Sequence, residues 1–213
     1  MNNNKIYWIG GSPCCGKSTI SEKLVKEYGF KYYKCDDYLD RFIEIGVKEK
    51  NPLMTSISQM TQDEIWLRNV DEQVLEEFEF YRYALKTIKK DIEERFVDDY
   101  VIVEGAALLP EFMKENNILK NRYICMTPSR EFQIEKYKER EWVQHYLSSC
   151  TDWEKAFENW MLRDIDYAKI VRKKAIELDY SVLEIDGGLS IEDVYKQIKE
   201  HFVLGTDFKQ IIS

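Results

Sequence analysis

Gly11-Ser12-Pro13-Cys14-Cys15-Gly16-Lys17-Ser18-Thr19 is the stretch that decides how this chain is read. Gly11 to Ser18 match the pattern Gly-x-x-x-x-Gly-Lys-[Ser/Thr], whose glycines let backbone amides turn inward around a phosphate. The pattern carries weight only between a strand and a helix, and both are present. Lys5-Ile-Tyr-Trp-Ile-Gly10 is an apolar, β-branched and aromatic run that reads as a buried strand. Lys17 to Tyr28 reads as a helix with Ile20, Leu24 and Val25 on one face and Gly29 as its stop. In that setting the helix N-terminus adds positive potential, Lys17 reaches the β- and γ-phosphates, and the Ser18 hydroxyl is placed to ligate Mg²⁺. Cys14 and Cys15 read as small loop-filling residues, or as thiols acidified by the helix N-terminus.

Outward from the loop, Phe30 to Cys35 reads as a second strand, which completes a βαβ unit. Residues 37–60 mix helix and loop, with a break at Asn51-Pro52. Thr61-Gln-Asp-Glu64 fits a capping box, after which helical periodicity, divided into two helices, runs to about Phe96. Tyr100-Val-Ile-Val-Glu104 is apolar enough to be buried on both faces, as strands of parallel sheets are. Arg122 to Met126 reads as a fourth strand, Ser129 to His145 as charged helix, and Ser148 to Thr151 as a polar joint. A long helix from Asp152 to about Asp179, a fifth strand at Ser181–Ile185 and a helix capped by Ser190 and Asp193 complete the chain. The expected architecture is a three-layer α/β/α fold around a five-stranded parallel sheet, with residues 1–213 forming one domain. Residues 51–96 form its helical insertion and 128–152 its lid region. Glycines 10, 11, 16, 105, 187 and 188 follow predicted strands, at the carboxyl edge where open α/β sheets bind ligands.

The chain has 213 residues, a formal net charge of −8, 44 % hydrophobic residues and only 9 Gly and 4 Pro, a composition that argues against disorder, collagen-like repeats and Gly/Pro-rich all-β architectures. By segment the charge is +2 over 1–60, −6 over 61–100, 0 over 101–150 and −4 over 151–213. Acidity therefore lies in the insertion and the last quarter, and a nucleic-acid partner is disfavoured. No stretch approaches the roughly 20 apolar residues of a membrane span, and Met1-Asn-Asn-Asn-Lys5 lacks the apolar centre of a signal peptide, so a cytoplasmic protein is expected. The five cysteines form no Cys-x-x-Cys pair, and His145 and His201 lack metal-ligand spacing.

An Asn-Lys-x-Asp box and an Asp-x-x-Gly switch, expected of a guanine-specific GTPase, are both absent. The layout, with an insertion before the third strand and a basic helical segment after the fourth, resembles the P-loop small-molecule kinases. That group includes nucleoside monophosphate, shikimate and gluconate kinases and antibiotic phosphotransferases. The resemblance covers nearly the whole chain in layout but only the phosphate loop in strict motif. Asp36-Asp37-Tyr38-Leu39-Asp40-Arg41 is similar to the Asp-Asp-x-x-Arg-like element of polynucleotide kinase. That likeness implies Asp36 as the general base for the attacking hydroxyl, Asp37 as a substrate or Mg²⁺-water partner, and Arg41, one residue further on, as a substrate contact. The alternative for the pair is a helix cap or a solvated turn.

Glu104 stands where such proteins place the Asp that holds Mg²⁺ through water; it could instead cap the following turn. Lid arginines in the resembled group close over the transferring phosphoryl group, which implies Arg140, with Lys136 second. A solvated, salt-bridged helix explains the same residues. Arg163 is implied as a further phosphate-facing arginine, or as a helix-face partner of Asp166. The loop Asp186-Gly187-Gly188 is expected to border the adenine. Among the insertion aromatics Trp66, Phe78, Phe80, Tyr81 and Tyr83, most are expected in the core and some in an acceptor pocket. The expected activity is ATP- and Mg²⁺-dependent phosphoryl transfer to a small hydroxyl- or phosphate-bearing acceptor. The alternatives are a nucleotide-binding regulatory ATPase with a protein partner and, last, a kinase of polynucleotide ends. The sequence leaves the oligomeric state open.

Overall fold

In the computed structural model, residues 4–205 and Phe208 are described; Met1-Asn2-Asn3 of the polar start lie outside the described residues. The chain runs β1 (Ile6–Gly11), α1 (Lys17–Tyr28), β2 (Lys31–Lys34), a 3-10 turn (Cys35–Tyr38), α2 (Leu39–Lys48), α3 (Pro52–Ile57), α4 (Gln62–Trp66) and α5 (Val70–Arg95). It continues through β3 (Val101–Glu104), α6 (Pro110–Glu115), a 3-10 turn (Lys120–Arg122), β4 (Tyr123–Pro128), α7 (Arg130–Lys138), α8 (Glu141–Tyr146), α9 (Trp153–Glu177), β5 (Ser181–Ile185) and α10 (Ile191–His201).

The five strands are all parallel, in the order β2-β3-β1-β4-β5. Every residue of β1, β3 and β4 is buried, as the near-continuous apolar runs require of strands covered on both faces. Period-two alternation divides the side chains of β1 between two cores. Tyr7 and Ile9 pack with Ile20, Leu24 and Ile198 under α1 and α10. Trp8 faces the other layer, with Ile88 of α5 and Tyr167 of α9. A third apolar cluster joins Trp66 of α4 to Tyr137, Val143 and Trp160, and so seats the insertion against α7, α8 and α9.

The capping box at Thr61 and Glu64 forms, and the two helices expected to about Phe96 are α4 and α5, divided where Asn69 caps a new start by accepting from the amides of Asp71 and Glu72. The helices depart from the expected pattern in two places. The single helix expected over 129–145 divides into α7 and α8 at Arg140, which adopts an extended backbone (φ −94°, ψ 106°). That bend lets Val143 and Leu147 enter the third cluster beside Trp160. α6 was not expected; Pro110 occupies its first turn, where a missing amide hydrogen costs nothing. Among the described residues no helix is long and apolar enough to cross a membrane.

Candidate active site

The phosphate loop joins β1 to α1 at the carboxyl edge of the sheet. Gly11 has φ +114°, and a Cβ there would lie 1.8 Å from the Met126 carbonyl oxygen, so only glycine permits the close approach of β4. The Ser12 amide donates to that same carbonyl at 3.0 Å. Gly16 adopts the left-handed conformation (φ 79°) ahead of α1, no side chain caps the helix, and a Cβ on Gly16 would meet nothing within 4 Å. An uncapped helix N-terminus opening onto free space can hold an anion such as a phosphate. Lys17 folds back over the loop, its Nζ donating to the Ser12 carbonyl at 2.6 Å.

Burial alone would depress the Lys17 pKa, but the neighbouring Cys15, Glu104 and Asp36 raise it above its ordinary value. Burial also pushes the Cys15 thiol up, and the Cys14 thiol to about 12. Glu104 and Asp36 are the carboxylates among these neighbours. The two cysteines are neutral fillers of the loop, and desolvation overrides the acidifying effect of the helix terminus.

Glu104, the last residue of β3, is only 1 % exposed. It accepts from the Ser18 hydroxyl at 3.1 Å and from the Tyr32 hydroxyl at 2.8 Å, both at Oε2. Burial raises its pKa, opposed by Lys17 and by the Tyr32 and Ser18 hydrogen bonds. Tyr32 went unnoticed in the sequence; the parallel register pairs it with Ile102, and Glu104, two residues further along β3, lies on the same face of the sheet. Among the described residues there is no cluster of three or more His, Cys, Asp or Glu that forms a self-contained metal cage. Mg²⁺ takes one or two protein oxygens and completes its octahedron with phosphate and water, and the hard oxygens of Ser18 and Glu104 fit that requirement.

Two cavities flank this centre. One, of about 580 Å³, lies above the loop between Cys14, Gly16 and Thr19 on one side and Phe132, Lys136, Arg140 and Gly187 on the other. Arg140 sits over the rings of Tyr137 (5.3 Å) and Trp142 (5.8 Å), and Lys136 pairs with Glu139 at 2.8 Å. The second cavity, of about 430 Å³, opens under the insertion between Asp40, Trp66, Glu77, Tyr81, Trp160 and Arg163. Asp36 and Asp37 stand exposed in the 3-10 turn that follows β2. Asp36 raises the pKa of Lys17 and Glu104 on one side and of Glu77 and Tyr81 on the other, so its charge is felt at both cavities.

Two arginines are engaged differently from expectation. Arg41 forms a two-pronged ion pair with Asp91 of α5, which also accepts from the Tyr33 hydroxyl at 2.8 Å. That pairing fastens α2 to α5 and does not bring Arg41 to the loop. Arg163 pairs with Asp164 at 2.7 Å and with Glu77 at 3.4 Å, and lies 4.7 Å over the Trp66 ring, while Asp166 pairs with Lys169. Two carboxylates thus already match its charge. Asp164 is the hub of this network: its side chain also accepts from the Tyr137 hydroxyl at 2.6 Å, and its carbonyl accepts from the Ser12 hydroxyl at 3.4 Å. Of the insertion aromatics, Trp66, Phe80 and Tyr81 line the second cavity, Phe78 packs on Tyr167, and the Tyr83 hydroxyl donates to Glu49.

No protein-family model and no curated protein sequence matches the chain. Solved structures do. Shikimate kinase from Acinetobacter baumannii in complex with shikimate aligns over 94 % of this chain and 93 % of its own, with TM-score 0.51 and 15 % identity. The fold is that of the P-loop small-molecule kinases. Shikimate kinase from Bacteroides thetaiotaomicron aligns over 91 % of this chain and 96 % of its own at TM-score 0.54 and 11 % identity. A gluconokinase from Sinorhizobium meliloti 1021 aligns over 96 % and 94 %, at TM-score 0.50 and 12 % identity. This P-loop kinase fold accounts for the sheet and the flanking helices.

Proposed function

We propose that the protein transfers the γ-phosphoryl group of ATP, with Mg²⁺, to a hydroxyl of a small acceptor seated under the insertion. The observation that carries this reading is the position of Asp36, whose charge acts on Lys17 at the phosphate loop and on Glu77 and Tyr81 in the wall of the second cavity. As the general base, Asp36 is proposed to take the proton of an acceptor hydroxyl brought between the two cavities. Gly11 to Thr19 hold the nucleotide phosphates, and Lys17 leaves the Ser12 carbonyl to stabilise the β- and γ-oxygens. Ser18 and Glu104 would hold Mg²⁺, which when bound would supply positive charge against the phosphate oxygens. Asp36 aligns the acceptor hydroxyl and takes its proton. Arg140, on the rim of the nucleotide cavity, neutralises the transferring group, assisted by Lys136. Arg163, matched by two carboxylates, shapes the acceptor cavity instead.

The test is ADP formation with and without a panel of nucleosides, nucleotides, sugars, amino alcohols and aminoglycosides. Acceptor-stimulated turnover that falls by at least about 100-fold in Asp36→Asn supports the reading, that being the usual scale of general-base assistance. Slow turnover that no small molecule stimulates, but a protein partner does, refutes it.

A further inference from the structure

The acceptor cavity carries information about its ligand that the phosphate loop does not. Its walls are aromatic: Trp66 and Trp160 stack with centroids 4.5 Å apart, and Tyr146 lies 5.7 Å from Trp160. Every cation on the wall is already matched, Arg68 by Glu76 and Arg163 by Glu77 and Asp164. The Asp40 carboxylate on the rim is exposed. Four buried polar atoms on the wall have no hydrogen-bond partner, and two of them, on Glu76 and Glu77, lie in the ion pairs with Arg68 and Arg163. Gln73, 3 % exposed, uses its amide nitrogen on the Trp66 and Arg68 carbonyls and leaves Oε1 unmatched; Trp160, 5 % exposed, leaves its indole N–H unmatched. Buried polar groups normally find partners, so a ligand that supplies them is favoured.

We propose that this cavity takes an amino alcohol with an apolar or aromatic body, and discriminates against the corresponding hydroxy acid. The ammonium pairs with the exposed Asp40 carboxylate and lies against the aromatic faces, whose quadrupoles attract cations, and a turn of the Gln73 side chain brings its Oε1, otherwise closed to the cavity, into reach. An oxygen of the ligand accepts from the Trp160 indole. A carboxylate would enter a site with no free cation and face Glu77 and Asp40, leaving its charge desolvated and unpaired. Burial pushes the Glu77 carboxyl up to about 7 against the pull of Arg163, and an incoming ammonium would favour its ionised form. The inference rests on the kinase reading only in naming the ligand an acceptor.

The test uses a matched pair, phenylalaninol and 3-phenyllactate, which share an aromatic body and a hydroxyl and differ in charge. Binding to the full chain is followed by quenching of tryptophan fluorescence and by calorimetry, with and without Mg-ADP. Phenylalaninol is expected to bind at least about tenfold more tightly, the scale set by one unmatched buried hydrogen-bonding group. Asp40→Lys, an exposed change that leaves the core intact, is expected to shrink that ratio severalfold. Equal or tighter binding of 3-phenyllactate overturns the proposal; so does binding of neither compound, or a ratio indifferent to Asp40→Lys. Neither titration requires phosphoryl transfer. A preference for phenylalaninol with no amino alcohol stimulating ADP formation leaves this inference standing and counts against the kinase. Stimulation by hydroxy acids alone does the reverse.

Discussion

Asp164→Asn tests the network that ties the phosphate loop, α7 and α9 together. Asp164 is fully buried, receives two guanidinium hydrogen bonds from Arg163 (2.9 and 2.7 Å), and accepts from the Tyr137 hydroxyl. Removing one partner of a buried ion pair costs about 3–5 kcal/mol. Two features reduce that figure here. Arg163 retains Glu77 at 3.4 Å as a second carboxylate, and the asparagine oxygen still accepts from one of the two donors. A loss of about 2–3 kcal/mol follows, which for a chain of this length is a fall of about 5–10 °C in melting temperature. The measurement is a set of thermal melts on the parent, Asp164→Asn, Arg163→Met and the double variant. Because the ion pair is direct, the cycle is expected to show a coupling of at least about 1 kcal/mol, with the double variant more stable than additivity predicts. An Asp164→Asn melting temperature within about 1 °C of the parent, or a cycle that closes additively, would refute the network as drawn.

Further expectations follow from the same geometry. Lys17→Met should lower MgATP affinity at least about tenfold while leaving the melting temperature near that of the parent, since its ammonium bonds only within the loop; unchanged affinity by calorimetry contradicts the loop assignment. Gly11→Ala sets a Cβ 1.8 Å from the Met126 carbonyl, a backbone collision no rotamer relieves, and should cost at least about 3 kcal/mol, read as lost soluble yield or an early melt. The Glu77 carboxyl is pushed up to about 7 in the folded state, above its ordinary value of about 4.3. Its contribution to stability is therefore complete below about pH 4.3 and lost as pH rises through about 7. Glu77→Gln should flatten that part of the stability profile in denaturant titrations, and a parent that gains stability across the same window would contradict the sign.

The phosphate loop was legible because its information is local: four fixed residues, a strand before and a helix after. The strands were legible for a similar reason, Val101–Val103 being too apolar for any other place. Side-chain partners were harder. Arg41 lies fifty positions from Asp91 and meets it only once α2 and α5 fold against each other. Arg163 chose its sequence neighbour Asp164 and the distant Glu77 over the i,i+3 carboxylate of Asp166, because the first two face inward with it. The break at Arg140 left no mark in charge patterning; what bends the chain is the packing of Val143 and Leu147 on Trp160, a tertiary contact. The aromatic wall of the second cavity was invisible as a wall, because Trp66, Tyr146 and Trp160 come from three helices and read separately as ordinary core residues.

The distribution of thiols has a practical use. Cys14, Cys15, Cys35 and Cys125 are buried, and only Cys150, at the joint between α8 and α9, is partly open to solvent. Its neighbour Thr151 is hydrogen-bonded to Asp63 at the start of α4. A thiol-reactive fluorophore therefore attaches at one position of the natural chain without mutagenesis, where the segment behind Arg140 meets the insertion, and reports optically on their separation as ligands enter either cavity.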